Sequence, residues 1–276
     1  MTLLKKLQWS FGILLFFFVL PVIAGQLPIN KQQTSTPIQP PEDKQVVFAA
    51  TNLEEQMVLE QTKEPFKALI LFTHSHESYQ PIVKAVSGKM AVYDEKTNIF
   101  QLQEAIAKHF SMNGIQTDVL DVDVMKEVKL QGKNMAASYS TVRPFLAKRL
   151  QEQSYDVIID FHRDATKKEA STIMHNNENY ARISLVVGAE HPNYKWNTQY
   201  AETLSATMNN IVPQISKGVI SKSGDNVDGR YNQDLAKEML LIELGGIDNT
   251  EDELNRTIAV IGKAIAKSFM LEKQPS

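Results

Sequence analysis

"LILFTHSHESYQP", residues 69–81, decides how the rest of the chain is read. Four apolar residues, Leu69 to Phe72, run straight into Thr73, His74, Ser75, His76, Glu77 and Ser78. A short apolar run bounded by a polar turn reads as a buried strand. The chain holds only six histidines, and two of them stand here, one residue apart. The stretch therefore poses two questions together: which fold places such a strand, and whether its polar end holds a metal.

Downstream, apolar strands and helical faces alternate. Ile99, Leu102, Ile106 and Phe110 recur three or four apart and mark a helix face that ends at Gly114. "IQTDVLDV" (115–122) is a second strand. Tyr139, Val142, Phe145, Leu146 and Leu150 mark another helix face, and "YDVIID" (155–160) is a buried-type strand. "ARISLVVG" (181–188), a helix over 200–215 and "MLLIELGG" (239–246) continue the alternation. Thr250 with Glu253 forms a capping-box signature for a last helix carrying Leu254, Ile258, Ile261, Ile265 and Phe269. This order predicts an α/β fold, a twisted and largely parallel sheet with helices on both faces. In such sheets ligands bind beyond the carboxyl ends of the strands.

Upstream, Lys5 and Lys6 precede an apolar run from Phe11 to Ala24. That pattern predicts an N-terminal membrane anchor or signal segment over residues 1–25. The lysines stay inside, so the remainder is expected outside the cytoplasm, single-pass on the cell membrane or secreted if the segment is cleaved. Residues 26–64 read as a Pro/Gln-rich linker, with prolines at 28, 37, 40 and 41 favouring extended chain. Residues 65–272 are left as the folded catalytic domain. The chain has no cysteine, which excludes disulfides, thiolate zinc sites and cysteine nucleophiles. A net charge of -3 gives no electrostatic reason to expect nucleic acid. There is no G-x-S-x-G elbow for a serine hydrolase and no G-x-x-x-x-G-K phosphate loop.

Three strands end in reactive side chains: "THSHE", "IIDFHRDA" with His162 just past Asp160, and "LLIELGG" with Glu243 near its tip. Zinc hydrolases often use two histidines and one glutamate, with water in the fourth position. His74 and Glu77 can supply two ligands from one turn, and His162 the third from a neighbouring strand. Glu243 is then free to act as general base. Arg163 can hold a carboxylate or a developing oxyanion, and Asp160 or Asp164 can orient a ligand histidine. His76 reads as a neighbour of the site, His109 as a solvated helix residue, and His175 and His191 as loop residues.

"LILFTHSHESYQP", "VIIDFHRDA" and "GRYNQDLAKEMLLIELGGIDNT", behind a hydrophobic segment and a Pro/Gln linker, resemble the stage II sporulation protein P family over roughly residues 66–271. The resemblance implies a phosphorylase/hydrolase-like fold. It implies a membrane-attached, Zn2+-dependent N-acetylmuramoyl-L-alanine amidase acting on peptidoglycan in sporulation, with endopeptidase activity on cross-links. The implied partners are a sporulation lytic transglycosylase (stage II sporulation protein D) and the polytopic membrane protein stage II sporulation protein M. His74 matches the second histidine of the family's His-Thr-His pattern, and Phe72 stands where the first would be. His162 matches the histidine of His-Arg-Asp-Ala, and Glu243 the late catalytic glutamate. After "NQDL" stands Ala-Lys-Glu-Met rather than Ser-Pro-Gly-Ser. That departure, with Phe72, fits a divergent paralogue. Glu95 competes with Glu77 as the carboxylate ligand, and the spacing to His74 favours Glu77. A carboxypeptidase-like zinc peptidase and an inactive wall-binding scaffold are the alternative functions.

Overall fold

Strand β1 (Phe66–Leu71) is buried on both faces, so consecutive residues enter different cores. Ala68, Ile70 and the following Phe72 belong to one cluster; Leu69 and Leu71 belong to another. This is the period-two alternation of a strand covered on both sides. The protein is described here by a computed structural model covering residues 64–270. The expected anchor over 1–25 and the linker up to residue 63 lie outside the described residues. Among the described residues no helix is long and apolar enough to cross a membrane.

After β1 come α1 (Gln80–Ser87), a 3-10 turn (Ile99–Leu102), α2 (Gln103–Ser111) and β2 (Ile115–Val119). Then follow α3 (Val124–Leu130), α4 (Ser138–Glu152) and β3 (Val157–Asp164). A hairpin of β4 (Thr172–His175) and β5 (Glu178–Ala181) leads to β6 (Ile183–Gly188). The chain then runs through α5 (Tyr194–Ile211), β7 (Ser216–Lys222), β8 (Met239–Gly246) and α6 (Glu251–Ile265).

The main sheet has the order β2-β1-β3-β8-β6-β7. β2, β1, β3 and β8 are mutually parallel, β6 pairs antiparallel with β8, and β7 is parallel to β6. The predicted α/β class and largely parallel sheet are therefore present. The two faces are covered by different helices. Ile106 and Phe110 of α2, Leu204 of α5, and Ile258 and Ile261 of α6 pack on one face; Val128 of α3 and Val142 and Leu146 of α4 pack on the other. Thr250 and Glu253 form the expected capping box.

Several boundaries differ from the sequence reading: β1 runs over 66–71 rather than 68–72, β2 stops at Val119 rather than at 122, and β6 starts at Ile183 rather than at 181. His162 does not lie just past a strand ending at Asp160; β3 continues to Asp164, because its ladder with β8 runs on through His162↔Glu243. The helix expected over 200–215 begins at Tyr194 and ends at Ile211.

One glycine contact places the rim of the site. A Cβ on Gly188, at the end of β6, would collide with the Gly229 backbone. Glycine there lets the segment before Tyr231 lie against the sheet, held by Glu190 N–H donating to Gly229 O at 2.9 Å.

Candidate metal centre

The face alternation decides what reaches the site. On β3, Val157, Ile159 and Phe161 point into the α2/α5/α6 core, so Ile158, Asp160 and His162 share the opposite face. On β8, Leu240, Ile242 and Leu244 enter that same core, which leaves Leu241 and Glu243 on the His162 side. Phe72 falls on the core side, packed against Phe161 and Phe100 at ring-centroid distances of 6.1 and 5.5 Å. Phe72 is therefore core rather than a residue of the His162 face.

Beyond β1, Glu77 N–H donates to His74 O at 3.0 Å, closing the turn that sets both side chains toward β3. Ser75 anchors that turn: its hydroxyl donates to Asp123 at 2.7 Å and receives the Met125 amide at 3.0 Å. Asp123 also caps α3 through the Lys126 amide and holds the His76 ring at 3.0 Å. His76 is thus buried against Asp123, pointing away from His74 and the β3 face.

Donor atoms of His74, Glu77 and His162 all lie within 4.8 Å of one another. His74 Nδ1 is 3.3 Å from Glu77 Oε1, and His162 Nδ1 is 4.0 Å from Glu77 Oε2. Glu77 Oε2 also accepts the Arg163 amide at 2.8 Å. Behind the cluster, the fully buried Asp160 accepts the Thr73 amide at 2.9 Å and the Thr73 hydroxyl at 2.6 Å. His162 Nε2 sits 3.1 Å from Asp160 Oδ2, off the line of a hydrogen bond. Of the two candidate orienting carboxylates, Asp160 is the one beside His162; Asp164 instead pairs with Lys217 at 2.7 Å.

The electrostatics follow from this packing. Burial pulls the His162 imidazolium down, but Asp160, then Glu77 and Glu243, override it and push its pKa up to about 9. Burial raises the Glu77 carboxyl, yet His74, His162 and the Arg163 amide hold it below the ordinary carboxylate range. Glu243 is pushed up to about 7, chiefly by burial, against the opposing pull of His162. Its Oε2 is buried with no hydrogen-bond partner among the described residues.

Two histidines and a glutamate, backed by a carboxylate behind one ring, are the donor types that zinc sites use, and the cluster could hold such an ion. They open on a cavity of about 980 Å³ that Glu243, Tyr139, Arg163, Lys222 and Tyr231 also line. The Arg163 guanidinium, expected to face a ligand, instead donates to Val92 O at 2.8 Å and Asp164 O at 3.2 Å, leaving only Nε without a partner. Glu95 lies outside the cluster, paired on the surface with Lys129 at 2.7 Å. His109, His175 and His191 are likewise no part of it.

Tyr139, at the start of α4, was legible only as a residue of an apolar helix face. Its ring stacks on His162 at 6.0 Å and meets His74 edge-on at 5.5 Å. Tyr231, which carries a positive φ, packs edge-on against it at 5.1 Å. Asp123 was also missed, although a polar residue just before an apolar helix turn is an N-cap signal.

A family model described as stage II sporulation protein P matches residues 25–266. A stage II sporulation protein P of Bacillus subtilis (strain 168) is 32% identical over 241 residues, covering 84% of this chain and 55% of its own length. The chain thus spans about half the length of that curated relative. Among solved structures the chain is similar to an N-acetylmuramoyl-L-alanine amidase from Clostridium difficile 630, at 14% identity, 77% coverage of this chain, 100% of that one, and a TM-score of 0.44. It is also similar to the CwlD amidase from Clostridioides difficile, solved in complex with the GerS lipoprotein, at 12% identity, 74% and 99% coverage, and a TM-score of 0.46.

Proposed function

Because the chain belongs to the stage II sporulation protein P family, we propose that it hydrolyses peptidoglycan in sporulation, at the amide joining N-acetylmuramic acid to L-alanine. The observation that carries the reading is the convergence of His74, Glu77 and His162 with Glu243 directly beside His162 in the β3–β8 register. His74, Glu77 and His162 would hold zinc. When bound there, zinc polarises a carbonyl oxygen and lowers the pKa of a water to about 7.

The chain's own residues supply the rest. Glu243 takes a proton from the attacking water as its oxygen adds to the amide carbon. It returns that proton to the amine nitrogen as the carbon–nitrogen bond breaks. Asp160 sets its charge against the His162 ring and, through Thr73, holds the strand end that carries His74. The Arg163 amide orients Glu77. A lysine-flanked apolar segment at the start of the chain supports attachment to the membrane with this domain on the wall side.

Digestion of purified peptidoglycan by the zinc-loaded protein tests the reading. Intact stem peptides with free N-terminal alanine are expected. Release of single terminal amino acids would instead identify a carboxypeptidase-like enzyme, and zinc-independent wall binding without products would identify a scaffold.

A further inference from the structure

We infer that Tyr139 is a substrate-contacting residue whose hydroxyl donates a hydrogen bond to the amide oxygen under attack. The inference rests on the hydrolytic reading above and names a donor which that reading lacks.

The ring of Tyr139 is fixed on several sides. His162 lies parallel to it, His74 and Tyr231 meet it edge-on, and its carbonyl accepts the Asn232 side-chain amide at 2.9 Å. The residue is only 8% exposed, and what remains exposed opens on the cavity over the cluster. Its hydroxyl nevertheless has no hydrogen-bond partner among the described residues.

Three other tyrosines of the domain spend the hydroxyl within the fold. Tyr79 gives its hydroxyl to Leu244 O at 2.8 Å, Tyr155 to Asp118 at 2.8 Å, and Tyr200 to Asp156 O at 2.9 Å. The Tyr139 hydroxyl is left instead to the water of the cavity, where a ligand can take it. A rigid donor left open at a reaction cavity is the arrangement that stabilises charge appearing in a transition state. When water adds to the amide carbon, the carbonyl π electrons move onto oxygen. A neutral hydroxyl then binds that oxygen more strongly than the ground-state carbonyl, and Tyr139 keeps its proton throughout. The obvious alternative, Arg163, has both terminal guanidinium nitrogens committed to backbone carbonyls.

The test compares Tyr139→Phe with Tyr139→Leu in the zinc-loaded protein. The phenylalanine keeps the ring contacts and removes only the hydroxyl. Its kcat on a muramoyl-peptide substrate is expected to fall roughly 100-fold, with KM, zinc stoichiometry and melting temperature unchanged. Affinity for a tetrahedral phosphinate analogue of the amide should fall by a similar factor. Tyr139→Leu, which also removes the ring, should in addition bind zinc less tightly. Wild-type kcat and phosphinate affinity in Tyr139→Phe would overturn the inference. So would loss of zinc or early melting in Tyr139→Phe, because the tyrosine would then be structural. A wild-type chain that releases no stem peptides defeats the amidase reading itself, and the Tyr139 inference with it; an active wild type with an equally active Tyr139→Phe defeats the inference alone.

Discussion

Asp160 Oδ2 lies 3.1 Å from His162 Nε2 while the same carboxylate receives both the amide and the hydroxyl of Thr73, so one buried anion ties together the two strand ends that carry the histidines. Asp160 and His162 are two apart on β3 and share a face by strand geometry alone. Carboxylates behind ligand histidines typically contribute 10–100-fold in metal affinity. Asp160→Asn should therefore weaken zinc binding by about that factor, as read by competition with a chelator. Unchanged affinity would reduce Asp160 to a brace for Thr73.

Glu243 is beside His162 but outside the three-donor cluster. Glu243→Gln should keep full zinc occupancy and lose roughly 10²–10⁴ in kcat on peptidoglycan, the usual worth of a general base. Metal analysis and rate must be measured on the same preparation. A variant that loses its zinc would show that ligand and base have been exchanged.

Glu77 and Glu95 separate cleanly in the fold. One touches His74 and the Arg163 amide; the other pairs with Lys129 in solvent. Glu77→Ala should abolish stoichiometric zinc binding. Glu95→Ala should leave both zinc content and melting temperature within error, since exposed ion pairs contribute little. The reverse pattern by elemental analysis refutes the assignment.

The metal-free protein should become less stable as pH rises. His162 holds its proton up to about pH 9 in the folded state against an ordinary imidazole value near 6.5, so its contribution is complete below about 6.5 and is lost as pH climbs through 9. Glu243, raised from 4.5 to about 7, loses stability in the same direction between those values. Thermal melts in chelator should therefore shift downward from about pH 5 to pH 9, by an amount on the order of a few kcal/mol in total. Saturating zinc, which needs deprotonated ligands, should flatten or reverse the trend. A flat profile in chelator would mean that His162 is not held charged.

The sheet was legible where burial is two-sided. Continuous apolar runs such as Leu69 to Leu71 and Val157 to Ile159, short and bounded by polar residues, suit strands covered on both faces. It was not legible where a strand carries polar residues: β7, "SKGVISK", and the β4–β5 hairpin gave no periodic signal. The short helices α1 and α3 were missed because seven or eight residues hold too few turns to establish a period. The three ligand candidates came from spacing and strand ends. The role of Phe72 could not, because a face assignment needs the register of its neighbours; in the fold it is core, stacked on Phe161. Tyr139 resembled any other apolar helix residue until the β3 face beneath it was known.

His74 and Glu77, His162 and Glu243 come from distant parts of the chain and meet only because β1, β3 and β8 lie side by side. An unfolded chain carries every group of the cluster and none of its geometry. Whatever chemistry the cluster performs is therefore latent by construction: it waits for closure of the central sheet, and needs no inhibitor to keep it silent before then.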